Sequence, residues 1–175
     1  LGHYIGDAHV PLHTTKNYNG QLTNQVGIHA FWESRLPEMF ASKYNFIKGK
    51  AHFVEDPLAE AWTIIKQSNQ LVDSVLMIER DLSTTFPENS KYAYIERNNI
   101  LIRTYSDEYA TAYHQALHGM VENRMTDAIR QVGSFWYSAW VEAGQPDLKN
   151  LTQIKVTEEP IVKTDGMKTM GREEW

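Results

Sequence analysis

Apolar residues recur at three- and four-residue intervals over two long stretches of the chain, the spacing of one face of an α-helix. The first runs Leu58, Ala61, Trp62, Ile65, Val72, Val75 and Leu76. It opens at Asp56-Pro57, where the aspartate can cap free N–H groups and the proline occupies a position whose missing N–H costs nothing. It closes at Phe86-Pro87, so one long amphipathic helix is expected. The second follows Ser106-Asp107-Glu108, a cap with an acidic first turn, and its stripe passes through Tyr109, Tyr113, Leu117, Val121, Ala128, Val132, Phe135 and Ala139. Gly144 and Pro146 end it. Tyr92 to Ile102 holds a shorter stretch of helical period, and no segment alternates with period two for long enough to read as a strand. The pattern predicts an all-α fold. Beyond Leu148 the stripe is lost and Lys, Thr, Glu, Gly and Pro take over, dividing the chain into a helical domain, 1–148, and an extended tail, 149–175.

The chain has 175 residues, 42% of them hydrophobic, enough for one substantial core. Its formal charge of −5 disfavours a protein that holds nucleic acid mainly through Lys and Arg, although metal ions can supply positive charge instead. With no cysteine, thiolate zinc sites, disulfides and cysteine nucleophiles are excluded, and His, Asp and Glu remain as the strong metal-binding side chains. No apolar run approaches the roughly 20 residues needed to span a bilayer.

Four of the seven histidines, His3, His9, His13 and His29, stand within the first 29 residues. Residues four apart on a helix are neighbours, so His3 and Asp7 can grip one ion, and His29 and Glu33 repeat the arrangement. Pro11 ends or kinks the first helix and lets His13 leave the His3/Asp7 face to meet the second pair. His13, His29 and Glu33 then form a three-ligand set with an open coordination position, the feature that separates catalytic from structural zinc. A single His-x-x-x-Asp pair arises often by chance; two such pairs bracketing a third histidine do not. His9 lies about 200° around the helix from Asp7 and is expected to face away as a hydrogen-bonded or surface residue.

The combined motif, His3-x-x-x-Asp7-x-His9-x-Pro11-Leu12-His13 followed by His29-x-x-Trp32-Glu33, resembles the superfamily of zinc-dependent phospholipases C and single-strand-specific nucleases. Weaker similarity runs through Trp62 to Val121-Glu122-Asn123. The resemblance implies an all-α phosphoesterase with up to three zinc ions: His3 binds one, Asp7 bridges it to a second, and His13, His29 and Glu33 hold the third. None of these ligands is itself the nucleophile. Glu at position 33, and the short loop before His29, are similar to the phospholipase branch, whereas the nucleases usually carry Asp there. The implied substrate is a phosphodiester, a phospholipid or a single-stranded nucleic acid, and the implied location is outside the cytoplasm, since family members are usually exported. The family's first ligands, an N-terminal Trp with further His and Asp, have no counterpart here. Residues 1–175 are therefore expected to be the C-terminal part of a longer catalytic domain, since a helix whose first ligand is residue 3 lacks a first turn of its own. The competing class is a non-catalytic helical fragment.

His114, His118 and Glu122 also rise at four-residue intervals, but three such positions span about 12 Å, too far for one ion, so hydrogen-bonded or surface roles are expected. Trp32, Trp62, Trp136 and Trp140 can stack on bases, yet their helical spacing favours core packing. His52 reads as ordinary surface, and no strand-turn-helix nucleophile elbow supports a Ser-His-Asp hydrolase.

Overall fold

The structure is a computed structural model that describes residues 1–97 and 99–149. Leu1–Gly144 forms one compact unit; Gln145 onward belongs to another, of which residues 145–149 are described. The tail expected from 149 lies, apart from Lys149, outside the described residues.

The compact unit is mostly helical. Helix α1 (Gly2–Ala8) leads into a 3₁₀ turn, Pro11–Thr14. Val10, just before the proline, is extended (φ −86°, ψ 116°), the conformation a following pyrrolidine ring imposes. After a loop, one helical rod covers residues 28–40: α2 (Ile28–Ala30), a π turn (Phe31–Arg35) and α3 (Leu36–Phe40). Pro37 accounts for the π turn, because it has no N–H to offer the carbonyl four residues before it. The helix relaxes to an i→i+5 bond, Leu36 N–H to Phe31 carbonyl.

The expected long helix from residue 57 is two, α4 (Pro57–Gln70) and α5 (Val72–Thr85). The break falls at Leu71, whose N–H bonds back to Ser68 in a tighter turn, within the gap between Ile65 and Val72 in the apolar spacing. Asp56 caps α4 as expected, accepting from Ala59 N at 2.9 Å. The second long helix also divides, into α6 (Asp107–Ala116) and α7 (Met120–Glu142), because His118 (φ 49°) and Gly119 (φ 80°) adopt left-handed backbone that a right-handed helix cannot continue. Ser106 caps α6 through Tyr109 N at 3.1 Å, and α7 stops just before Gly144.

The helix expected over Tyr92 to Ile102 is instead an antiparallel hairpin, β1 (Tyr92–Arg97) and β2 (Ile100–Tyr105), so the all-α expectation holds for the bulk of the chain but not here. Aromatic and β-branched residues make up half of β1 and most of β2. Arg97 pairs with Ile100 across a two-residue connection in which Asn99 takes φ 61°, the positive φ that Asn-rich hairpin turns accept. Tyr92 and Ile95 mimic helical spacing, while Ile95 faces Ile102 across the strands.

The larger core cluster joins Val10, Leu12, Ile28, Phe31, Trp32 and Leu36 to Val75, Tyr105, Tyr109, Tyr113, Leu117 and Val121; a smaller one holds Ile5, Val54, Ile64 and Phe135. The Phe31 ring stacks on Tyr105 (3.8 Å between centroids) and Tyr113 (4.9 Å). Glu79, 1% exposed, accepts from Gln25 Nε2 (2.6 Å), Tyr109 Oη (2.7 Å) and Lys91 Nζ (2.9 Å), which ties the loop before α2 to α5, α6 and the residue just before β1. Core packing was expected of all four tryptophans. Trp32 is buried, but Trp62 (54%) and Trp136 (62%) are exposed, because the buried line runs through Ile64 and Ser68 on α4 and through Ser134, Phe135 and Ser138 on α7 instead.

Gly20 shapes the loop between His13 and His29. It sits at φ 72°, and a methyl added there would run into the backbone carbonyl of Gln25. Gly20→Ala is expected to destabilise the fold by more than the roughly 1–2 kcal/mol of left-handed backbone alone. Gly119→Ala, at φ 80° with room for a Cβ, is expected to show only that conformational cost, both read from urea midpoints.

Candidate metal centre

His29 and Glu33 stand one turn apart on the 28–40 rod, with His29 Nε2 2.7 Å from Glu33 Oε2. The opposite side of the rod carries Ile28, Phe31 and Leu36 into the aromatic core, so the ligand pair faces outward on a fixed support. The 3₁₀ turn after Pro11 swings His13 toward them. Its Nε2 lies 3.0 Å from His29 Nε2 and 3.3 Å from Glu33 Oε2. All three donor atoms fall within 4.8 Å of one another, and the group can hold a metal ion. A point about 2.0–2.2 Å from each corner, the distances zinc takes to His nitrogen and carboxylate oxygen, exists over a triangle this small.

The tautomer of His13 fits the same use. Its Nδ1 is 3.1 Å from the backbone carbonyl of Asp7, which can only accept, so Nδ1 carries a proton, and when the ring is neutral it is Nε2 whose lone pair is left for an ion. Two imidazole nitrogens converging on one carboxylate oxygen leave a place suited to a cation. His13, His29 and Glu33 side chains are 28%, 23% and 38% exposed, so solvent reaches the centre.

His3 and Asp7 make the other expected pair, Nε2 to Oδ2 at 3.2 Å on α1. Asp7 Oδ1 is 3.9 Å from His13 Nδ1, which sets this pair beside the three-residue group but outside it. His9 turns inward, buried, with Nδ1 donating to Ile5 carbonyl at 2.7 Å, and burial holds its pKa below the usual histidine value.

The remaining histidines have other partners. His114 is sandwiched between Phe40 (4.1 Å) and Tyr44 (5.7 Å) and hydrogen-bonds Tyr44 Oη at 2.8 Å; burial lowers its pKa. Glu122 takes Lys48 Nζ at 2.7 Å and Asn45 N at 3.2 Å, while His118 stands in the break between α6 and α7. His52 meets Ser134 Oγ at 3.2 Å through Nδ1. A cleft of about 370 Å³ opens on the other side of the rod, between Ser34, Arg35 and the hairpin residues Ile95, Ile102 and Arg103; none of the five expected ligands lines it.

Sequence reasoning missed the groups that brace the His13 turn. Ser68 Oγ donates to Ala8 carbonyl (2.6 Å), Asn69 Nδ2 to Thr14 carbonyl (3.0 Å), and Arg124 Nε to His9 carbonyl (3.1 Å). A signal was present: Ser68 and Arg124 interrupt the apolar stripes of α4 and α7 at positions where a hydrophobic residue is expected, and both are buried. No family model, curated protein or solved structure matches the chain.

The charges of the group set its pH response. Hydrogen bonds from His13, then from His29, hold Glu33 at about 2, and the hydrogen bond with Glu33 raises His13 above its ordinary 6.5. The Glu33 contribution to stability is present above its ordinary 4.5 and lost as pH falls toward 2. The His13 contribution is present below 6.5 and lost as pH rises through the raised value. In chelator-treated protein, urea midpoints are expected to carry a contribution from this pair that is greatest between about 4.5 and 6.5 and absent in Glu33→Gln. Metal uptake runs the other way, since the ion needs a neutral ring: affinity is expected to rise with pH through a midpoint above 6.5, measured by competition with a chromophoric chelator.

Proposed function

We propose that the chain belongs to a zinc-dependent phosphoester hydrolase of the phospholipase C kind, acting on a phosphodiester with metal-activated water. The observation that carries this reading is the convergence of His13, His29 and Glu33 within 4.8 Å on a solvent-reached surface. Two imidazoles and a carboxylate make a hydrolytic rather than a structural zinc set, and a cysteine-free chain has no thiolate to compete for the ion. The resemblance of the His3 to Glu33 motif to the phospholipase C and nuclease superfamily points the same way, and the Glu at position 33 favours its phospholipase branch.

In this reading His13, His29 and Glu33 would hold one zinc, and His3 with Asp7, beside them, would serve a neighbouring ion. An ion held there would lower the pKa of bound water to about 7 and so supply a nucleophile at neutral pH. The chain's own residues do the positioning. The Asp7 carbonyl keeps the proton on His13 Nδ1 and leaves Nε2 free to ligate. Glu33 stays ionised throughout the working range because its pKa is about 2. Positive charge for the phosphate then comes from the ions, which suits a chain of net charge −5.

A nuclease reading has one observation of its own. The indole of Trp136, 62% exposed, lies 3.6 Å from the place a Cβ on Gly2 would take, one residue before His3 in sequence, and an exposed ring can stack on a base.

Glu33→Ala and His29→Ala are each expected to remove at least one zinc equivalent by metal analysis and most hydrolysis of phosphatidylcholine. Undiminished zinc content in either variant would refute the assignment. Faster turnover of single-stranded DNA than of phosphatidylcholine, with a KM that rises in Trp136→Ala, would select the nuclease.

A further inference from the structure

Helix α1 ends at a corner where the chain leaves Ala8, passes His9 and Val10, and turns into the segment carrying His13. A helix end leaves its last carbonyls without intrahelical donors. Here each carbonyl from Ile5 to His9 has a donor. Ile5 takes His9 Nδ1 (2.7 Å), Gly6 takes His9 N (2.9 Å), and Asp7 takes Val10 N (3.0 Å) and His13 Nδ1 (3.1 Å). Those donors are local. The carbonyls of Ala8 and His9 depend on distant parts of the chain, on Ser68 of α4 and Arg124 of α7.

The two distant donors form one unit. Arg124 Nη2 donates to Ser68 Oγ at 2.6 Å, Ser68 Oγ donates on to Ala8 carbonyl at 2.6 Å, and Arg124 Nε donates directly to His9 carbonyl at 3.1 Å. Arg124 is 6% exposed and Ser68 0%. The carboxylate paired with this guanidinium, Asp127, stands 3.9 Å away, so the shortest bonds of a buried cation go to a hydroxyl and to the negative end of a short helix. Asn69, next to Ser68, reaches Thr14 carbonyl on the other side of His13. The ligand-bearing turn is thus gripped on both flanks from α4 and locked by α7.

We propose that Arg124 and Ser68 are positioning residues of the metal centre: they fix the corner at Ala8 and His9 so that His13 holds its Nδ1–H on the Asp7 carbonyl and aims Nε2 at His29 and Glu33. The inference rests on the metal reading above and deepens it. Neither residue belongs to the group of side chains that can hold the ion. A hydrophobic residue at either position would fill the space and keep α1 against α4 and α7, but would leave the corner free to shift. Groups that orient ligands in this way typically carry about 10–100-fold of metal affinity.

The test uses the 175-residue chain, stripped with chelator and titrated with zinc against a competing chromophore and with cobalt by visible absorption. Ser68→Ala, the milder variant, and Arg124→Met are expected to bind zinc about 10–100-fold more weakly than wild type, with Arg124→Lys falling between. At one equivalent of zinc the ring ¹⁵N signals of His13 are expected to report an Nε2-ligated ring with Nδ1–H in wild type, and a mixture of ligated and free rings in Ser68→Ala. Asp56→Ala, which removes the cap of α4, serves as the control: it lowers stability without moving zinc affinity or the cobalt spectrum. Folded Ser68→Ala and Arg124→Lys with wild-type affinity, cobalt spectrum and His13 signals would overturn the positioning role while the metal reading stands. A wild-type chain that takes up neither zinc nor cobalt would overturn the metal reading and, with it, this proposal.

Discussion

The face-to-face packing of Phe31 against Tyr105 and Tyr113 is the contact on which the rest of the arrangement depends. Phe31 lies between His29 and Glu33 in sequence and points to the opposite side of the rod, so fixing its ring fixes both candidate ligands. The partners of that ring come from the hairpin and from α6, which makes the geometry of the candidate centre a product of long-range packing even though two of its three residues are only four apart. Glu79 reinforces the same junction from below, holding Gln25, Tyr109 and Lys91 together in a buried, fully bonded set. Such a set is worth little as stabilisation and much as a specifier of one arrangement, since breaking it strands a charge in the interior.

The candidate ligands were legible because the relation between them is local. A separation of four residues on a helix brings side chains together whatever the tertiary structure, and Pro11 announces the bend that turns His13 away from α1. The caps at Asp56 and Ser106 were readable for the same reason. What the pattern hid are the features decided elsewhere. Both helix breaks were invisible to periodicity because Leu117 and Val121 stay buried on either side of one, and Val72 resumes the burial after the other. The hairpin was hidden by the spacing of Tyr92 and Ile95, and Asn98-Asn99 was the turn signal that outweighs it. Trp62 and Trp136 are exposed because period fixes which residues share a face, and packing alone decides which face is covered. Ser68 and Arg124 show the reverse case, polar residues on a covered face.

The corner after α1 joins these two kinds of information. Pro11 sets its direction through the backbone of Val10, while its position comes from α4 and α7, over 60 and 115 residues of separation. The two core clusters meet there as well, Ile5 belonging to one and Val10 and Leu12 to the other.

The π turn at Phe31–Arg35 carries one more consequence. A wider turn holds an additional residue, and at 3.6 residues per α-turn each residue advances the helical phase by about 100°. Everything after Arg35 is accordingly rotated relative to the ligand-bearing part, as if two rods with separate zero points had been spliced end to end. Leu36 and Phe40 find the interior at an angle of their own, and so long as Pro37 keeps the wide turn in place the rest of the downstream half can drift in sequence to suit its own neighbours without re-aiming the imidazole and carboxylate.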